Sequence, residues 1–249
     1  MSVPSEYNVI CGFLGLGQDI LLEVIRQISE LRDLQQFLII NTKTFRLKDH
    51  MHFQQIIKSI INIDYFLQVP CLDDVSVNGD IFTNISNVNV SSILFDPIID
   101  KGIVMIEILD LKKIRAIGIA DKSVYYKRNE WIQARGFDII IQCWNDGWIY
   151  NINDYVKGNS QFDTGDHVKM ELNMEHDPHS LTFFVNDIEQ PHYVVGIPSE
   201  VRIWIFLQHL GESFKILKFQ KILNPVAQHG SGTQMWQWGK EWHQKNQQN

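Results

Sequence analysis

Gly165-Asp166-His167-Val168-Lys169-Met170-Glu171-Leu172-Asn173-Met174 decides how this chain is read. From Val168 onward apolar and polar residues alternate without a break, the period of a strand with one face turned to a core. Residues 103–109, 116–120, 138–143, 181–185, 201–207 and 213–219 are short runs of similar character bounded by Gly, Asn, Asp or Pro. Asp146-Gly147 separates such a run from Trp148-Ile149-Tyr150 and predicts a tight hairpin with positive φ at both central residues. Strands at this spacing imply an antiparallel sandwich.

Upstream of about residue 75 the period changes. Ile20, Leu21, Val24, Ile25 and Ile28 recur on one side of a helical wheel, with Asp19, Glu23 and Arg26 on another. A second run begins near Asp33 and carries Leu34, Phe37, Leu38 and Phe45, and a third spans 51–61 with Phe53, Ile56, Ile57 and Ile60. These patterns predict three short helices. Val69-Pro70-Cys71-Leu72-Asp73-Asp74 breaks both periods, so the expected organisation is a helical region over 8–65, a strand region over 75–222 and a polar tail over 223–249. Met235, Trp236, Trp238 and Trp242 make part of that tail a candidate to pack back on the body.

The 249 residues carry 22 Lys plus Arg against 29 Asp plus Glu, a formal charge of 22 − 29 = −7, which argues against a nucleic-acid tail or polybasic membrane anchor. With 45% hydrophobic and 20% charged residues the chain can bury a core, so wholesale disorder is excluded. No apolar run approaches the roughly 18 residues of a membrane helix, so neither nucleic acid nor membrane is an expected partner. Cys11, Cys71 and Cys143 lie far apart, as in a reducing compartment; a cytoplasmic location is expected, with the nucleus as the other such compartment. The stretch from Val9 to Leu16 follows Glu6 and no basic residue, so no secretory leader is expected, and Asn84-Ile85-Ser86 and Asn89-Val90-Ser91 are read as chance glycosylation matches.

Catalytic and metal patterns fall short of what their chemistry needs. Gly12, Gly15 and Gly17 precede a helix, but a dinucleotide loop starting at Gly15 needs glycine at Ile20, and no Gly-Lys-Ser/Thr occurs. Asp74, Ser76, Asn78 and Gly79 imitate a calcium loop whose twelfth position, Ile85, has no carboxylate. His50 and His52, and His176, Asp177 and His179 with Glu175, have no nearby cysteine and read as surface turns; no metal and no cofactor are expected. No Gly-x-Ser-x-Gly elbow or triad spacing marks a hydrolase.

The strand region resembles a SPRY domain, in order, over about 98–222. Gly102-Ile103-Val104-Met105-Ile106-Glu107-Ile108 is similar to that family's opening strand and Ala116-Ile117-Gly118-Ile119-Ala120-Asp121 to its "IGI" strand. Trp144-Asn145-Asp146-Gly147-Trp148-Ile149-Tyr150 matches its aromatic, DG turn and short strand. Gly165-Asp166-His167-Val168 with Leu172-Asn173-Met174 resembles its "GDxVGxxLDM". The hairpin at Leu181-Thr182-Phe183-Phe184-Val185-Asn186-Asp187 and the run from Gly196 to Trp204 complete the series, with Asp187 in place of a usual glycine. The helical region resembles an F-box: Ile20-Leu21-Leu22-Glu23-Val24-Ile25 its first helix, Leu31-Arg32-Asp33-Leu34 its "LxxxDL" junction and Asn41-Thr42-Lys43-Thr44-Phe45-Arg46 its "VCKxFR" stretch.

The expected fold is therefore α+β, a small three-helix F-box-like unit followed by an antiparallel SPRY β-sandwich. The resemblances imply a non-enzymatic protein whose helices dock to a Skp-type adaptor of a cullin–RING ubiquitin ligase through Leu16, Ile20 and Leu21. Its SPRY loops would capture a protein or peptide, with Tyr125, Tyr126, Trp131, Trp148 and Trp204 as anchors. A SPRY scaffold with no ligase connection, and an enzyme with an unrecognised site, are the competing readings.

Overall fold

The computed structural model describes residues 12–242. Cys11, the beginning of the apolar stretch at Val9 and Ile10, and residues 243–249 of the tail lie outside the described residues. The chain divides into two compact units between Ile63 and Asp64.

Among its described residues the first unit holds four α-helices where the periodicity predicts three: α1 (Gln18–Arg26), α2 (Leu31–Ile39), α3 (Thr42–Arg46) and α4 (Met51–Ile61). The second run is split at Asn41, whose extended backbone and side chain end one helix and start the next. Its Oδ1 accepts the backbone N–H of Lys43 at 2.8 Å and of Thr44 at 3.0 Å, while Thr44 Oγ1 accepts the Asn41 N–H at 3.2 Å. This reciprocal capping box satisfies N–H groups that a helix start leaves orphaned. The restart changes the helical phase, so Phe45 is exposed although Leu34 and Phe37 are buried. Leu21, Leu22 and Ile25 of α1, Leu31 of α2, Leu47, and Phe53 and Ile56 of α4 are the other buried apolar residues among the described residues of this unit. Among the described residues no helix is long and apolar enough to cross a membrane.

The described residues of the second unit form sixteen strands: β1 (Phe66–Gln68), β2 (Val75–Asn78), β3 (Ile81–Asn84), β4 (Ser91–Asp96), β5 (Ile103–Lys112), β6 (Ala116–Asp121), β7 (Ile140–Trp144), β8 (Ile149–Asn151), β9 (Asp154–Val156), β10 (His167–Asn173), β11 (Ser180–Val185), β12 (Ile188–Glu189), β13 (His192–Val195), β14 (Val201–Leu207), β15 (Ser213–Ile222) and β16 (Gln234–Gln237). One sheet runs β1-β4-β14-β6-β7-β8-β9; the other runs β16-β13-β11-β10-β5-β15-β3-β2, with β12 beside β11. Every pair is antiparallel except β13 with β16. The sheets pack face to face: Phe95 of β4 meets Phe214 and Phe219 of β15 at ring-centroid distances of 6.4 and 6.2 Å. Val168, Met170 and Leu172 point into this interior, as the alternation of β10 requires.

Two local findings depart from simple patterning. Gly147 has φ +84° and Asp146 is not left-handed, so the Asp-Gly hairpin is a three-residue turn: Gly147 N–H donates to Trp144 O, and Trp144 N–H to Trp148 O, both at 2.9 Å. A Cβ on Gly147 would lie 2.2 Å from Asn159 O, so the glycine answers both a backbone and a contact constraint. At the β11–β12 turn Asn186 and Asp187 are both left-handed, which is how Asp187 serves in place of glycine.

Glu171, polar and outward on β10, is nevertheless buried. The C-terminal segment covers it: the backbone N–H of Val226 donates to Glu171 Oε2 at 2.6 Å, and Gln228 and His229 donate to Glu189 at 2.7 and 2.9 Å. Beyond them β16 pairs with β13, Trp236 Nε1 donates to His192 Nδ1 at 3.0 Å, and Trp242 is buried. The Trp-bearing tail thus folds back on the sheet.

Gly118 of β6 admits the tightest packing. A Cβ there would sit 1.9 Å from Ile141 O and 2.7 Å from the Trp204 ring. Gly118→Ala is expected to lower stability by about 1–3 kcal/mol or more, whereas Gly230→Ala, with open space around it, should change it by less than about 0.5 kcal/mol. Urea denaturation of the two variants checks this.

Candidate functional site

Register around two hairpins gathers aromatic residues on the outward face of the seven-stranded sheet. Ala116 pairs with Trp144 on one side and Phe206 on the other, Gly118 with Gln142 and Trp204, Gln142 with Tyr150, and Tyr150 with Tyr155. Residues directly opposite in a ladder share a face, so all of these project away from the sheet interface, while Ile117, Ile141, Cys143, Ile203 and Ile205 project into it.

Part of that outward face is roofed by residues 122–139. Val124, Tyr126 and Ile132 form a buried cluster with Leu94, Ala116, Ala120, Ile140, Trp204 and Phe206. The roof is stitched down: Ser92 Oγ donates to Glu130 O at 2.8 Å, Val90 N–H to Asn129 Oδ1 at 3.1 Å, and Arg128 grips the buried Asp74 through Nε (2.7 Å) and Nη2 (2.9 Å). The Arg128 guanidinium holds the Asp74 carboxyl below its ordinary range. Asp74, the first residue of the calcium-like pattern, is thereby committed to a structural ion pair.

From Trp131 of the roof the rings continue as a strip. Trp131 packs on Phe206 (centroids 5.2 Å), Phe206 on Trp144 (6.2 Å), Trp144 on Tyr150 (6.3 Å), and Tyr150 on Trp148 and Tyr155 (6.0 and 5.5 Å). Trp148 and Tyr155 lie nearly parallel, 4.9 Å apart and 16° from coplanar. Tyr155 is 45% and Trp131 39% exposed, with Trp144, Trp148 and Tyr150 half-buried. The Lys157 ammonium sits 3.9 Å from the Trp148 centroid and 5.6 Å from that of Tyr155. Trp144 Nε1 donates to the buried Gln142 Oε1 at 3.0 Å, which fixes its ring.

The turn of the β7–β8 hairpin adds negative charge. Asp146 Oδ1 accepts the Trp148 N–H at 3.2 Å, and burial, then Asp146 and Tyr155, raise the Tyr150 phenol above its ordinary value. A polar cavity of about 210 Å³ opens beside it, lined by Lys113, Asn145, Asp146, Gln161, Phe162, Asp163 and Asp166. Behind it, burial raises the Asp110 carboxyl from 3.8 to about 6, with the nearby charges of Asp163, Asp166 and Glu212 adding to the shift and the Ile114 N–H opposing it. Among the described residues no group of three His, Cys, Asp or Glu is placed to hold a metal ion.

The structure separates the five proposed anchors. Trp131 and Trp148 lie on the strip. Tyr125 is exposed on the roof, its ring 4.7 Å from the Arg135 guanidinium. Trp204 and Tyr126 are corrected to core residues: Trp204 is 0% exposed because the roof closes over it, and the Tyr126 hydroxyl donates to Ile132 O at 2.7 Å inside the roof. Of the three helical positions, Ile20 is exposed and Leu16 half-buried with its carbonyl bound by Lys43 Nζ. Leu21 is corrected to the interior of its own unit, since α1 turns Leu21, Leu22 and Ile25 inward.

Sequence reasoning missed Trp144, Tyr150, Tyr155 and Lys157. The signal was Asn151-Ile152-Asn153-Asp154: Ile152 and Asn153 both take positive φ in the two-residue turn that sets Tyr150 opposite Tyr155. The β-branched Ile152 disguises that turn.

No protein-family model matches the sequence, and no curated protein matches it. The chain is similar to the SPRY domain of human HERC1, at 16% identity and a TM-score of 0.47 over 59% of this chain and 96% of that one. It is similar to another human SPRY domain, at 16% identity and 0.46 over 62% and 96%, and to the TRIM65 PSpry domain, at 8% identity and 0.47 over 57% and 83%.

Two outcomes test this description. Trp204→Ala should cost roughly 3–5 kcal/mol of folding stability, whereas Tyr155→Ala, on the open strip, should leave the melting temperature within a few degrees. The raised Asp110 value means the folded state holds its proton more tightly than the unfolded chain. Its contribution is complete below about pH 4 and is lost as pH rises through about 6. Urea midpoints between pH 4 and 7 should fall for the wild type and run flatter for Asp110→Asn, which keeps an acceptor for the Ile114 N–H; parallel curves would show that the shift is absent.

Proposed function

We propose that this chain is a non-catalytic recognition protein of the SPRY type that captures a protein or peptide on the aromatic strip, and whose F-box-like helical unit docks to a Skp-type adaptor of a cullin–RING ubiquitin ligase. The observation that carries the first half is the set of part-exposed rings Trp131, Trp144, Trp148, Tyr150 and Tyr155, joined through the buried Phe206, on a hydrogen-bonded sheet. Rigid aromatic side chains offer large contact area and lose little rotamer freedom on binding, and a fixed sheet beneath them keeps the ordering cost low. The SPRY-like motifs also fall on strands in chain order, from β5 and β6 through the β7–β8 turn to β10, β11 and β14.

The ligase half rests on the F-box-like motifs and on exposed apolar residues of the helical unit, among them Phe13, Ile20 and Val24. One observation favours the alternative of a scaffold with no ligase connection: Leu21 is buried in its own unit, which leaves Ile20 and part of Leu16 from the three positions proposed.

Affinity purification from the native cell separates these readings. Trp148→Ala should weaken the captured partner by about 2 kcal/mol, roughly 30-fold in affinity, without changing the melting temperature. Ile20→Arg should abolish co-purification of a Skp-type protein with an unchanged circular dichroism spectrum. If the wild type brings no such protein, the scaffold reading stands; if Trp148→Ala and Tyr155→Ala both bind normally, the strip is not the recognition surface.

A further inference from the structure

The end of the strip already holds a cation. The Lys157 ammonium lies over the Trp148 face at 3.9 Å and near Tyr155 at 5.6 Å, both inside the roughly 6 Å range over which a ring quadrupole attracts positive charge. Among the described residues it pairs with no carboxylate; the rings hold it. Lys157 is exposed and follows the last residue of β9, with Gly158 next to it at φ +132°. It is therefore a tethered and replaceable occupant. The surroundings favour positive charge as well: Asp146 stands at the turn before Trp148 and lines the adjoining cavity together with Asp163 and Asp166, with Lys113 as the one basic lining residue.

We propose that Trp148, Tyr150 and Tyr155 form a recognition site for an arginine or lysine side chain of a basic peptide segment, and that Lys157 occupies this site in the free protein and is displaced on binding. This rests on the reading of the aromatic strip as the recognition surface and adds the chemical class of what it captures. An arginine suits the site best, because its planar guanidinium stacks on an aromatic face and is less strongly hydrated than an ammonium. The intramolecular competitor gives the proposal a consequence that simple charge attraction lacks. Removing Lys157 frees the rings and removes a repelling charge, so affinity for a basic peptide should rise; if Lys157 instead supplied a contact to an acidic partner, its removal would weaken binding.

The test uses the full chain at 150 mM salt and three fluorescent 12-residue peptides in which Gly and Ser alternate with Arg, with Gln or with Glu. The Arg peptide should bind measurably and the other two at least about tenfold more weakly. Lys157→Ala should tighten the Arg peptide about two- to fivefold, the size of an exposed cation–π contact. Trp148→Ala should weaken it by tenfold or more; Tyr155→Ala, on an exposed ring, gives the same direction if Trp148→Ala lowers the melting temperature. If the Gln peptide binds as tightly and still depends on Trp148, the strip remains a recognition surface and the cationic specificity is overturned. Arg-peptide binding that ignores both ring variants, weaker binding by Lys157→Ala, or no binding by any peptide overturns the proposal, while the purification experiment above judges the strip independently.

Discussion

The close approach of the Trp204 indole to the bare backbone of Gly118 is the constraint on which this β unit depends. A central strand pair with no side chain at one position leaves room for a large ring close to the backbone, so the centre of the outward face of the seven-stranded sheet is apolar like its inward one. A sheet apolar on both faces must be covered twice. The inner face finds the nine-stranded sheet, with Phe95 set against Phe214 and Phe219. The outer face finds residues 122–139, which have little regular structure and are fixed by Tyr126, Arg128, Asn129 and Glu130 through side-chain and backbone hydrogen bonds. Where that roof stops, the apolar face does not, and the uncovered remainder is the aromatic strip.

Fold and surface are thus two results of one arrangement. The same register that buries Trp204 and Phe206 carries Trp144, Tyr150 and Tyr155 outward along neighbouring strands, and rigidity at the centre fixes the ring positions at the edge. A surface built this way is pre-formed.

The strands were legible because β10 alternates strictly and the other runs are short apolar stretches bounded by turn residues: β5, β6, β10, β14 and β15 all overlap their predicted runs. The tail was legible in part: of its four large apolar residues Trp242 is buried and Trp236 and Trp238 half-buried, while Met235 stays exposed. The helical unit was less so. Periodicity registers hydrophobic spacing and is blind to a cap, so Asn41 split a run that reads as continuous. The site was the hardest to read. Trp204 and Tyr126 look like exposed anchors when their covering segment cannot be seen, and burial of that kind is a long-range property with no local mark. Tyr155 escaped notice because its hairpin turns on Ile152, a residue whose branched side chain argues against the left-handed backbone it adopts.

The parallel pairing of β16 with β13 changes where the nine-stranded sheet ends. Without it the border would be β13, whose unpaired N–H and C=O groups would form the edge of a large sheet, the kind of template on which a second chain can add a strand. With it the border is the four-residue β16, fastened by the Trp236–His192 hydrogen bond and the buried Trp242. The returning tail is in this sense a selvedge: it finishes the fabric of the sheet so that it does not knit onto its neighbours at the concentrations of a crowded cell.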